Sequence, residues 1–228
     1  MKKRSRKRRN IFMSSNKVIG FLGIDKYEIM LYLAKLLVKL EKTVLLIDVS
    51  ETSALSYCFS VPADMDSKIE IISHAGLEYT KKLDIEGQRK NYDVILIDYG
   101  FSYNYEDLGN HDHVCIVTDK QLHNLNRLLQ VKAAQVESFL LLKNMDKDDN
   151  INHIRDLFSK NFNIVNVYPF SADNIDQIHT YSLQYGKQLK IKILSFEYKQ
   201  VMKKFAIELL EITEKEYKIA FKKLKRGA

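Results

Sequence analysis

Three charged side chains and two glycines set the chemistry this sequence could perform: Lys26, Asp48, Asp98, Gly20 and Gly23. A lysine at the start of a helix, behind a glycine-bearing turn, is the arrangement that holds a phosphate. The segment VIGFLGIDKYEIMLYLAKLL (18–37) places Lys26 between a buried apolar run and a helical pattern. Gly20 stands six residues before Lys26, the spacing of G-x-x-x-x-G-K-[ST]. The fit then breaks. Asp25 takes the place of the second glycine, and Tyr27 takes the place of the hydroxyl that holds magnesium. A phosphate loop needs glycines because several backbone N–H groups must converge on one anion, and a Cβ obstructs that approach. An aspartate in the loop repels a triphosphate. The junction is therefore expected to keep the shape of a phosphate site without its chemistry. The plain alternative is a strand–helix turn with Lys26 in solvent, and Gly20 reads as part of the strand.

The elements that would position these residues follow from apolar patterning. Strand candidates are 17–23, 43–48, 68–73, 92–98, 113–118, 137–143 and 163–168, with a further candidate at 189–194. Most are continuous apolar runs, the pattern of parallel strands covered on both faces. Helical spacing occupies 26–40, 120–134 and 150–159, and a last helix starts at the N-cap candidate Ser195. Strand–helix alternation predicts an α/β fold: a single doubly wound, mostly parallel sheet flanked by helices. Asp48 and Asp98 close two of the buried runs, so they stand at carboxyl-terminal strand tips, where such sheets bind ligands.

Charge divides the chain. Residues 1–10 carry seven positive charges and no negative one; residues 214–226 carry six positive and two negative. The total is +7, so ends of +7 and +4 leave −4 for residues 11–213. The division expected is a basic arm (1–15), an α/β domain (16–212) and a basic amphipathic tail (213–228) carrying Tyr217, Phe221 and Leu224 as an apolar stripe. Lys2, Lys3, Arg4, Arg6, Lys7, Arg8 and Arg9 at one end, and Lys222, Lys223, Lys225 and Arg226 at the other, would touch an anionic surface. A membrane suits the tail, and nucleic acid is the competing polyanion for the arm. No apolar run reaches the ~18 residues of a membrane span, and no secretory signal is visible, so the cytoplasm is expected. Cys58 and Cys115 lack disulfide or metal spacing. His111, His113 and Cys115 alternate but have no fourth ligand nearby, so no metal is expected. The aromatic stretch 99–108, with Tyr99, Phe101, Tyr103 and Tyr105, would plug the mouth of the site, face a partner or pack on itself as a surface loop.

Taken in order, the segments resemble the ParA/MinD family of deviant Walker ATPases, members of the P-loop NTPase-like SIMIBI class. VLLID ending in Asp48 looks like the family's second aspartate motif, and VILID ending in Asp98 looks like its Walker B strand. FLLLKNM is similar to its base-contacting strand, with Asn144 in the asparagine's place. NIVNVYPFSADNIDQI resembles the family's stretch around a proline after the next strand, here Pro169. The resemblance implies ATP and magnesium as ligands, a homodimer joined at the nucleotide faces, and protein partners. The departures fall in one place. The family's K-G-G-x-G-K-[ST] is absent, Phe21 or a missing residue stands where a dimer-crossing lysine belongs, Ser50 replaces an acid, and Tyr99-Gly100 replaces D-x-P. This implies a pseudo-ATPase with no cofactor, acting as a scaffold or localisation factor in a membrane-associated bacterial assembly. The TadZ/CpaE proteins of pilus assembly, which also have altered phosphate loops, are the nearest analogy. The alternatives are an atypical active ATPase using Lys26, Asp48 and Asp98, a nucleic-acid-binding partition-like protein, and an NAD(P)-binding protein. The last begins IGFLG with Gly23 as first glycine, but Asp25 and Glu28 occupy the other two glycine positions.

Overall fold

The computed structural model describes residues 16–59, 71–101, 108–131, 133–171 and 173–226. Eight strands form one sheet in the order β3-β4-β2-β5-β1-β6-β7-β8. They are β1 (Lys17–Gly23), β2 (Val44–Asp48), β3 (Ile72–His74), β4 (Leu77–Thr80), β5 (Val94–Gly100), β6 (His113–Thr118), β7 (Ala133–Met145) and β8 (Phe162–Ser171). Every neighbouring pair is parallel except β3–β4, a hairpin. Parallel strands need helices on both faces, and the side chains of each strand alternate between two cores accordingly. In β1, Ile19 and Phe21 enter the core under α1 (Tyr27–Lys39), α6 (Phe196–Leu209) and α7 (Glu214–Lys225). Val18 and Leu22 enter the other, under α3 (Leu122–Leu128) and α4 (Ile151–Phe158). A short α2 (Ile85–Gln88) and a longer α5 (Asn174–Leu183) complete the described helices. The expected doubly wound sheet is present, and β1 and β6 have the expected bounds.

Four local expectations change. The helix expected over 120–134 covers only Leu122–Leu128, and β7 begins at Ala133. Residues 189–194 alternate like a strand, yet Ile191–Ile193 form a 3₁₀ turn. Its repeat of three residues puts Ile191 and Leu194 together in the core. The strand expected at 68–73 appears only as β3, with 68–70 outside the described residues. It is joined to β4 by Ala75 and Gly76, both at positive φ (51° and 78°). Such a two-residue turn has the twist a hairpin needs. Finally, α5 has no counterpart in the sequence reading, although Asp173 caps it by accepting hydrogen bonds from the N–H groups of Ile175 and Asp176.

The tail stripe is the largest revision. Residues 214–225 do form a helix, started by a reciprocal capping box between Thr213 and Glu216. Its apolar side faces inward. Tyr217 and Ala220 are buried, Phe221 and Leu224 pack against the same core, and the Tyr217 hydroxyl lies 2.6 Å from that of Tyr32 on α1. The stripe is thus largely spent on α1, with Phe221 and Leu224 half-buried and Ile219 the exposed apolar side chain of this helix. Lys222, Lys223, Lys225 and Arg226 are exposed. Lys223 donates to the Lys39 carbonyl and Lys225 lies over the Phe221 ring. The arm residues Lys2 to Arg9 lie outside the described residues. Among those described, no helix is long and apolar enough to cross a membrane.

Candidate functional site

The carboxyl ends of β1, β2 and β5 bring Lys26, Asp48 and Asp98 together. Asp48 and Asp98 are opposite each other in the β2–β5 register. The β1–α1 turn is pinned to β6: Ile24 N–H donates to the Val117 carbonyl at 3.0 Å. Gly23 makes that approach feasible. Its φ is +99°, and a Cβ on it would lie 2.0 Å from the Val117 oxygen. Gly20, by contrast, is a strand residue whose missing Cβ leaves room for the His111 ring, which a Cβ would approach to 3.0 Å and which shares a hydrogen bond with Tyr99. Gly20 therefore serves close packing within β1 and lies away from the turn.

Lys26 does not face solvent, which corrects the plain reading of this turn. It is 1% exposed and its ammonium folds back over its own turn. Nζ is 2.7 Å from Asp98 Oδ1, 3.0 Å from the Gly23 carbonyl and 3.2 Å from the Ile24 carbonyl. An ammonium has three N–H groups, and these three acceptors use all of them. Asp98 Oδ1 also accepts from the Gly100 N–H. Asp48 is held by three bonds as well: Oδ1 accepts from the Ser50 N–H and hydroxyl, and Oδ2 from the Leu55 N–H. Burial raises the Asp48 carboxyl above its ordinary value; the Ser50 hydrogen bond opposes this, and nearby Asp98 adds to it. Ser50 thus turns the β2 tip into a closed loop.

The residues at the anomalous positions close the turn further. The Asp25 carboxylate accepts from the Thr52 hydroxyl, tying the β1 turn to the loop after β2. Tyr27 is buried and its hydroxyl reaches the Thr180 carbonyl of α5; burial first, and then Glu28, hold that phenol well above its ordinary value. Lys143, at the end of β7, donates to the Asp25 carbonyl at 3.0 Å and pairs with Glu28 at 2.7 Å. On the other side, Glu51 accepts from the Phe101 N–H and pairs with Arg127, whose guanidinium stacks 3.8 Å over the Phe101 ring. Of the aromatic stretch, Tyr99 is buried and Phe101 takes part in this clasp; Tyr103 and Tyr105 lie outside the described residues.

Asn144 stands apart, near the end of β7, exposed and at a positive φ of 57°. Its Oδ1 accepts from Gln177 at 3.2 Å. Beside it lies a cavity of about 230 Å³ bounded by Glu28, Lys143, Asp176, Thr180 and Tyr198. Glu28, Lys143 and α5 were not among the sequence candidates. Glu28 had a signal, an acid in the first turn of a helix over a sheet end, but Lys143 had none, since its partners come from 115 and 118 residues away. Among the described residues no group of metal-binding side chains is assembled, and His111, His113 and Cys115 are separate core positions.

No protein-family model matches the chain, and no curated protein does. Solved structures do. MinD in its complex with MinC, cell-division proteins from Aquifex aeolicus, superposes with a TM-score of 0.60 at 14% identity, covering 86% of this chain and 96% of the other. A ParA-family ATPase from Chlorobium tepidum gives 0.58 at 17%, covering 86% and 99%. A McdA–ATP complex from Cyanothece gives 0.64 at 13%, covering 89% and 99%. At these identities the likeness is one of fold, and it spans nearly the whole of each neighbour. The chain has the fold of the ParA/MinD ATPases.

Proposed function

We propose that this protein is a non-hydrolysing member of that structural group, a pseudo-ATPase that acts through protein partners as a scaffold or localisation factor in a membrane-associated bacterial assembly. One observation carries the first half: the only lysine of the β1–α1 turn has spent its three donors inside the fold, against Asp98 and two carbonyls. To engage a phosphate it would have to leave a buried carboxylate unpaired, at a cost of several kcal/mol. Asp25 adds a negative charge to the turn, and Tyr27 turns its ring into the core and offers no hydroxyl to a metal there. The residues around the turn therefore do not fit ATP and magnesium. The second half rests on the neighbours. The MinD structure contains a cell-division partner, MinC, which supports protein partners for this fold and, by extension, for this chain.

The test is nucleotide binding by thermal shift, with phosphate release measured alongside. A ligand at 100 times its Kd adds about 2.7 kcal/mol of stability. The expected result is no shift with Mg-ATP or Mg-ADP and no turnover. A shift together with turnover that disappears in Lys26→Ala would establish the atypical-ATPase reading instead.

A further inference from the structure

Near the carboxyl end of the chain, α5 uses its apolar residues in the opposite way to α7. His179 and Leu183 face the body, while Ile175, Ile178 and Tyr181 are exposed, and Tyr185 just past the helix is 84% exposed. The returning segment 187–196 is fastened along α5. Asp176 accepts from the Ser195 N–H at 2.7 Å and from its hydroxyl, and the Lys190 N–H donates to His179 at 3.1 Å. It adds two more exposed apolar side chains, Ile193 and Phe196. Lys187, Lys190 and Lys192 stand exposed among them. Between residues 174 and 196 the acid is Asp176, which is buried and bound to Ser195; the capping Asp173 and the exposed Glu197 flank the stretch.

We propose that this face, Ile175, Ile178, Tyr181, Tyr185, Ile193 and Phe196 with their three lysines, is the surface by which the protein rests on an anionic lipid bilayer. Six large apolar side chains are exposed on one short helix and the segment fastened to it, a concentration that water-facing surfaces rarely carry without an occupant. Tyrosines suit the headgroup layer, with an apolar ring and a polar tip. Lysines beside them extend to anionic headgroups while their stems lie on the apolar surface. A second copy of the chain fits less well, because it would set three lysines against three lysines with only Glu197, next to Phe196, as an exposed acid to balance them. A peptide has only the adjoining cavity to enter, about 230 Å³ and lined by Glu28, Lys143 and Asp176 as well as Ile29, Phe170 and Tyr198, which is mixed in character and not an apolar groove. The inference rests on the membrane part of the proposed function and gives it a location different from the carboxyl-terminal helix.

The experiment is co-sedimentation of the full chain with vesicles of phosphatidylcholine containing roughly one third phosphatidylserine, at ~0.1 M and ~0.5 M salt. Basic ends bind only electrostatically and are released by salt, whereas apolar insertion persists. The expected result is partition that survives in part at high salt. It should fall at least about tenfold in Ile178→Asp/Phe196→Asp, with an unchanged urea midpoint because both positions are exposed. Lys222→Glu/Lys225→Glu should weaken binding at low salt only. Wild type and the α5 variant partitioning alike would overturn the proposal in favour of a protein-docking face, with the localisation reading intact. Complete release of the wild type at high salt would overturn it and assign binding to the basic ends. No partition at either salt would overturn both the surface and the membrane reading, leaving the nucleotide result untouched.

Discussion

β1 has a buried lysine at each end, and the two behave differently. Lys17, at the amino end, is 3% exposed, but its partner Glu211 is 55% exposed, with Nζ and Oε1 2.6 Å apart. Lys26, past the carboxyl end, pairs with an Asp98 that is only 2% exposed. The first pair keeps one foot in water, so its carboxylate can be rehydrated if the lysine leaves. The second has no such recourse, and its ion pair is part of the interior. The lesson concerns ligand sites: a lysine awaiting an anion must have a partner it can abandon cheaply, and Lys26 has none.

The largest effect expected from breaking this contrast is Lys26→Met. It strands Asp98 and should lower unfolding stability by about 3–5 kcal/mol in urea titrations. Lys26→Met/Asp98→Leu, which removes both charges, should restore most of the loss; if it does not, the pair matters for more than mutual neutralisation. Gly23→Ala comes next. A positive φ alone costs roughly 1–3 kcal/mol, and the Val117 carbonyl must also move, so the loss should reach the upper end of that range. Tyr217→Phe should cost about 1 kcal/mol by leaving the Tyr32 hydroxyl without its partner between α1 and α7.

The smallest change is expected at the solvent-touching pair. Lys17, with lesser help from His113, holds the Glu211 carboxyl below its ordinary value of 4.5. A carboxyl with a lowered folded value contributes stability above its unfolded value and loses it as pH falls through the folded one. Glu211→Gln should therefore change stability little near neutrality and flatten the fall of stability below about pH 4.5, read from urea midpoints across an acid pH series.

Much of the sheet was legible because parallel strands covered on both faces leave continuous apolar runs, as in VLLID and HVCIVT. The composition of the turn was legible too: Asp25 and Tyr27 stand where the phosphate-loop pattern has a glycine and a hydroxyl residue. The direction of Lys26 was not, since a sequence names neighbours along the chain and the ammonium chose acceptors by proximity in space. Lys143 escaped for the same reason. The stripe Tyr217–Phe221–Leu224 shows a deeper ambiguity: helical periodicity states that one side is apolar without stating whether lipid, a partner or the protein's own α1 covers it. α5 carries the complementary case, because its exposed isoleucines would pass for core positions in any reading by spacing.

The docking of α7 also affects how the chain can be manipulated. A cut near Thr213, at what looks from composition like the root of a dispensable basic tail, would remove a wall of the core and leave the Tyr32 ring facing water. Proteins shortened there should be recovered as aggregates, and any binding they lose would report damage to the fold rather than a missing contact. Reporter fusions, by contrast, are best joined beyond Arg226, where the helix has already ended and its final turn points its charges outward.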